Sequence, residues 1–214
     1  MKRSIVRPQT TGEEWANASV HAIACILIVV VTLLTWPLAR SGASQVTVPA
    51  AAIYLSTMLF LYAASALYHG LPPGRAKQLF MKVDYCAIYL FIAGSYTPFG
   101  SGLLLGHGGT TLLIVMWALA AVGVALQMTG KQLHPLVGTG FYLAMGWAVL
   151  ALVQPLFRLL PTPGLIWLLA GSFCYTGGVL FFLMDSRLKF AHSVWHVFVL
   201  AGSACQFVAI TWYA

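Results

Sequence analysis

Charged side chains are scarce in this chain. Only 7% of its 214 residues are charged, against about 25% in a soluble domain, so there is too little polar surface to face water all round. A water-soluble globular protein is excluded, and a membrane protein is expected. Acidic residues are scarcer still, four against eleven Lys and Arg, which leaves a formal net charge of +7. That surplus does not indicate nucleic acid. The basic residues lie in short stretches between apolar runs rather than on a basic face interleaved with exposed aromatics. The four cysteines, Cys25, Cys86, Cys174 and Cys205, form no Cys-x-x-Cys pair and fall inside or at the edge of apolar runs. They read as buried packing thiols rather than a disulfide framework. Internal repeats and linkers are also lacking, which argues against a duplicated transporter.

What the chain has in abundance is apolar sequence, 60% of the total. It divides into seven runs, each near the roughly 20 residues that cross a bilayer core. They cover about 20–39, 49–70, 81–103, 110–128, 134–154, 164–184 and 192–213. Lys2, Arg3 and Arg7 precede the first run, as in a signal peptide. That run exceeds the roughly 7–15 residues of a signal core and lacks an Ala-x-Ala exit, so it reads as a retained span. The expected fold is an all-α, polytopic seven-helix bundle, with residues 1–18 as a cytoplasmic segment and 19–214 as a single membrane domain. Pro98 is expected to kink the third span, and Pro135 suits a first helical turn. Trp36 and Trp212, near span ends, fit an interfacial belt.

Lys and Arg in the connections set the orientation. Lys2, Arg3, Arg7, Arg75, Lys77, Lys82, Lys131, Arg187 and Lys189 fall on one side, and only Arg40 and Arg158 on the other. The N-terminus is therefore expected inside and the C-terminus outside, in a cell membrane.

This topology places the rare polar residues in depth. His192 and His196 share one face of the seventh span, and Ser65 and His69 share one face of the second, each by four-residue spacing. Both pairs fall at the inner end, together with Asp84, expected in the first turn of the third span, and with Glu13, Glu14, Asn17 and His21 of the first. Ionisable groups inside spans are costly and normally face a bundle interior or a site. Three imidazoles and a water give the open tetrahedral arrangement of a catalytic zinc, with Asp84 and Ser65 beside the water. Haem fits less well, because His-x-x-x-His points to one side whereas axial ligands oppose each other. A proton relay is the competing reading.

Blander roles are open for several of these residues. Asp84 could be a helix-start carboxylate or pair with Lys82 or Arg75. His21, on a face with Asn17 and Glu13, reads as a buttress that hydrogen-bonds within the bundle. His107 and His134 read as loop residues, and Asp185, beside Arg187, as a solvated loop charge.

The segments Glu13-Glu14-Trp-Ala-Asn17 to His21, Ser65-Ala-Leu-Tyr-His69, Asp84 with Ile88 to Pro98, and His192-Ser-Val-Trp-His196 to Ser203 resemble the bacterial hemolysin III family. That family belongs with the progestin and adipoQ receptors and, more distantly, the alkaline ceramidases. The resemblance covers nearly the whole chain. It implies seven helices, an inside N-terminus and zinc near the cytoplasmic face of the bacterial inner membrane. Its implied ligands are His69, His192 and His196, with Asp84 and Ser65 close to the metal. Tyr85 and Gln206 depart from positions where relatives commonly have His, both outside the implied ligand set.

Two functions follow as expectations. One is a zinc-dependent hydrolase of a lipid amide or ester, with Asp84 as general base, Ser65 stabilising the developing oxyanion, and an acyl-chain lipid entering from the bilayer. The other is a non-enzymatic membrane protein, a lipid-state sensor or cytolysin, with a structural zinc. A pore through one monomer is disfavoured, since the outer halves of the spans carry little polar sequence. No soluble partner is implied.

Overall fold

The computed structural model describes residues 7–38, 46–129 and 135–214, so Lys2, Arg3, Arg40, Lys131 and His134 lie outside the described residues, as does the side chain of Trp36. Among the described residues all regular structure is helical, and seven segments are long and apolar enough to cross a membrane. In chain order they are α1 (Thr11–Leu38), α2 (Val48–Gly70), α3 (Arg75–Ser101), α4 (Gly109–Met128), a broken fifth span of α5 (Pro135–Trp147), a 3₁₀ segment (Ala148–Leu152) and α6 (Val153–Leu159), then α7 (Thr162–Met184) and α8 (Ala191–Tyr213). Large apolar side chains such as Leu33, Leu34, Ile114 and Phe173 point outward, as a lipid-facing surface requires.

Three expectations about span limits need correction. First, α1 begins at Thr11, well before residue 20. Thr10 and Glu13 form a capping box: Glu13 accepts from the Thr10 backbone N–H at 2.9 Å, and the Glu13 N–H reaches Thr10 Oγ1 at 3.4 Å. This satisfies amide groups that would otherwise be orphaned, and the helix can start in polar sequence that hydropathy passes over. Second, α3 begins at Arg75. Asp84 is therefore about two and a half turns inside the helix at 3.6 residues per turn, too deep for a helix-start carboxylate.

Third, the fifth span is not one helix. Pro155 lies in the first turn of α6, has no N–H for the carbonyl of Ala151, and its ring would clash with that carbonyl in a continuous helix. The chain tightens into 3₁₀ geometry just before it. Tyr96 of α3 fills the resulting gap in the hydrogen-bond ladder. Its hydroxyl donates toward the carbonyls of Met145 (2.8 Å) and Gly146 (2.9 Å) and accepts the Val149 N–H at 3.0 Å. Tyr96→Phe leaves these buried backbone groups without that partner, at a cost of about 1–3 kcal/mol. A lower thermal midpoint in detergent is the expected result, and an unchanged midpoint would mean that the ladder closes without the hydroxyl.

The remaining spans fall where hydropathy places them, and Pro98 lies inside α3 as expected. Close approach between helices depends on small residues, as is usual in membranes. A Cβ on Gly171 of α7 would stand 2.9 Å from the backbone oxygen of Gly202 in α8, so these helices can touch only without one. The four cysteines are free, but only Cys86 is fully buried; Cys25, Cys174 and Cys205 are partly exposed. Trp212 is exposed near the end of α8, as an interfacial ring should be, and His107 is an exposed loop residue.

Candidate metal centre

The polar residues of four helices meet at one end of the bundle. From α2 come Ser65 and His69, from α8 His192 and His196, from α3 Asp84, and from α1 Glu13, Glu14, Asn17 and His21. Burial is nearly complete at Glu13, Asn17, Ser65 and His196, each no more than 1% exposed. No bulk water reaches these groups, so a polar atom left unpaired among them is costly.

The three histidines read as ligands converge. One ring nitrogen from each of His69, His192 and His196 lies within 4.8 Å of the others, a group able to hold a metal ion. The Nε2 atoms of His69 and His196 are 3.2 Å apart. Two nitrogens each 2.0–2.1 Å from a tetrahedral ion stand about 3.3 Å apart, so the pair is already at coordination spacing. That separation is shorter than the roughly 4 Å between two nitrogens on opposite sides of one ion at about 2.0 Å each, so the pair does not suit the opposed ligands of a haem.

At His69 and His192 the other ring nitrogen explains why Nε2 is the free atom, whereas His196 Nδ1 is buried without a partner. His69 Nδ1 lies 2.7 Å from Glu14 Oε2, and His192 Nδ1 lies 3.0 Å from Asp185 Oδ2. A carboxylate at Nδ1 fixes the proton there and directs the Nε2 lone pair inward, the usual arrangement behind metal-ligating histidines. Glu14 is itself held by Lys77 at 3.0 Å. The reading of Asp185 as a solvated loop charge is therefore corrected. Burial pushes its carboxyl up, but hydrogen bonds from His192 and Gln9 and the nearby Arg7 charge hold it below its ordinary value. It stays a carboxylate at neutral pH and orients His192.

Other side chains complete the support. Asn17 places Nδ2 3.4 Å from His69 Nδ1, and its Oδ1 accepts from the Ser193 hydroxyl. Glu13 accepts from both terminal nitrogens of Arg7 and, at 2.9 Å, from the backbone N–H of Phe190. Phe190 sits at φ +60° immediately before α8, a conformation a bulky residue rarely adopts. Glu13 thus clamps the strained turn that delivers His192 and His196.

Asp84 and Ser65 lie beside this cluster rather than in it. Both line a cavity of about 170 Å³ together with His21 and His196. Among the described residues Asp84 pairs with no cation, so pairing with Lys82 or Arg75 is not what holds it there. Ser65 Oγ is buried near Asp84 but makes no hydrogen bond of ordinary length. His21 is not a hydrogen-bonding buttress either. Its ring packs against that of His196 with centroids 3.9 Å apart, and both its nitrogens are buried without a partner. From Asp84 the cavity extends past Phe91 and Tyr96 to Phe99, about 22 Å along α3 at 1.5 Å per residue, and its walls are mainly apolar.

Sequence reasoning passed over Gln9, used Lys77 only for orientation and read Asp185 as solvated. Glu14 was placed at this end but given no role, although Glu14, Asn17 and His21 follow the three- and four-residue spacing of a single helical face. Asp185 and Gln9 lie outside regular helix and carry no periodic signal.

The fold and centre define a multi-span membrane protein with a three-histidine group able to hold a metal ion. The chain belongs to the haemolysin-III related family, whose family model matches residues 9–207. It is 37% identical over 205 residues to hemolysin-3 of Bacillus cereus, covering 96% of this chain and 93% of that one. To the hemolysin-3 homolog of Bacillus subtilis (strain 168) it is 35% identical over 204 residues, 95% of each chain. The human monocyte to macrophage differentiation factor is 29% identical over 206 residues, 94% of this chain and 84% of that one. No solved structure matches the chain.

Proposed function

We propose that the protein is a zinc-dependent hydrolase of a lipid amide or ester, with His69, His192 and His196 as ligands and the apolar cavity as the acyl-chain site. One observation carries this reading: His196, one of the three clustered histidines, lines a long apolar cavity whose near end holds a buried carboxylate, Asp84, without an ion-pair partner. A metal serving only to tie helices needs neither the cavity nor the carboxylate. Zinc is the fitting ion, since three neutral imidazoles with one open position are its common catalytic set. The Lys and Arg bias of the connections supports an inside N-terminus and a site at the cytoplasmic face.

When bound, zinc lowers the pKa of water toward about 7 and polarises a carbonyl. The chain's own groups do the rest. Asp84 takes the proton of the attacking water at a carboxylate oxygen and returns it to the departing nitrogen or oxygen as the acyl bond breaks. Ser65, whose hydroxyl is otherwise unpartnered, donates to the carbonyl oxygen as charge develops there. The apolar walls hold the acyl chain and exclude water, while unpaired His21 faces the polar end of the ligand. The products are a fatty acid and an amine or alcohol.

A second reading has its own support. The ligands come from only two helices, and Glu14 joins α1 to them, so a metal here would also fasten three helix ends. A structural zinc in a non-enzymatic cytolysin or lipid sensor has that form, and the Bacillus cereus relative is named a hemolysin. The two readings separate in one experiment. Purified protein is expected to contain about one zinc and show no Soret band, and to release fatty acid from at least one member of a panel of acyl-lipid amides and esters. Zinc without turnover across the panel would favour the structural reading.

A further inference from the structure

Gln9 stands outside every helix, yet its amide stands behind one of the three converging histidines. Its Nε2 donates to Asp185, at 3.1 Å to Oδ2, and its Oε1 accepts from Asn17 Nδ2 at 2.6 Å. Asp185 holds His192 Nδ1, and Asn17 Oδ1 accepts from the hydroxyl of the adjacent Ser193. A polar path therefore runs His192–Asp185–Gln9–Asn17–Ser193. The segment carrying Gln9 is itself fastened, with Arg7 on one side and Thr10 on the other both bonded to buried Glu13.

The chemistry of position 9 is specific. Asp185 only accepts, and Asn17 offers its NH₂ because its oxygen is taken by Ser193. The group between them must donate on one side and accept on the other, which a primary amide does and neither a carboxylate nor an ammonium can. The reach across to Asp185 and Asn17 also requires a side chain of glutamine length.

We propose that residues Arg7–Thr10 form a strap across the metal centre, with Gln9 as the positioning residue that, through Asp185, sets the ring orientation of His192. This rests on the reading of the three histidines as a metal site. Loss of such supporting contacts typically weakens metal binding about 10–100-fold. The strap couples metal retention to a part of the chain that no span contains, so whatever displaces it loosens the His192 ligand.

The test uses the full chain in detergent, with zinc affinity measured by chelator competition and ligand geometry by the visible spectrum of the cobalt(II) form. Gln9→Met keeps length but removes both hydrogen bonds. It is expected to weaken zinc binding about 10–100-fold and to alter the cobalt bands, while the thermal midpoint of the metal-free protein stays unchanged. Gln9→Glu places two carboxylates face to face and should behave likewise. The proposal is overturned if Gln9→Met or Gln9→Glu binds both metals as wild type does, or if the metal-free midpoint falls in step with affinity. Wild-type protein that binds neither zinc nor cobalt would instead overturn the metal-site reading, and the strap's role with it.

Discussion

His196→Ala is expected to abolish stoichiometric zinc in the purified protein. His196 is 1% exposed, and its Nε2 stands at coordination spacing from that of His69. Structural zinc in four-ligand sites is held by roughly 10–16 kcal/mol. Dividing that among the ligands makes one imidazole worth about 3–4 kcal/mol, or two to three orders of magnitude in affinity. Among the described residues no other histidine joins the group. His21 packs on the His196 ring but does not join the converging group. Metal analysis after dialysis against a weak chelator reads the result directly. Zinc retained at one per chain in both His196→Ala and His192→Ala would dispose of this centre.

Asp84→Asn should leave zinc in place and remove turnover. Asp84 lines the cavity with His196 yet lies outside the ligand group, so its loss leaves the three imidazoles intact. Asparagine keeps the shape and cannot take up a proton, and general acid–base catalysis typically contributes about 10²–10⁴-fold. A drop of that size in kcat, at constant zinc content, is the expected outcome on whichever acyl lipid the wild type cleaves. Retention of the wild-type rate would show that Asp84 is not the base. Loss of zinc together with activity would make it a metal-supporting residue.

These expectations differ in how much of them the sequence alone contained. Six of the seven spans were legible from hydropathy, because crossing a bilayer requires about 20 apolar residues whatever the tertiary arrangement. The fifth was legible as a span but not as a broken helix, since the interruption depends jointly on Pro155 and on a tyrosine of another helix. The three-histidine group was legible because His192 and His196 follow a four-residue helical period and topology placed His69 at the same end. Asp84 was found for its rarity, but its depth was misjudged. Apolar sequence marks the hydrocarbon core, whereas α3 starts earlier, in polar sequence.

The supporting contacts were not legible. Asp185, Gln9 and Phe190 lie in connections, where neither helical period nor hydropathy constrains a side chain, and Gln9 meets Asp185 across 176 positions of the chain. By itself the sequence determined that this is a seven-span, all-helical membrane protein with three histidines and an acid at one level. Only the tertiary structure decided which nitrogens converge, which carboxylates stand behind them, and that an apolar cavity reaches His196. Burial of polar groups in a bilayer obliges each to seek a partner, but packing between distant segments chooses which partner it finds.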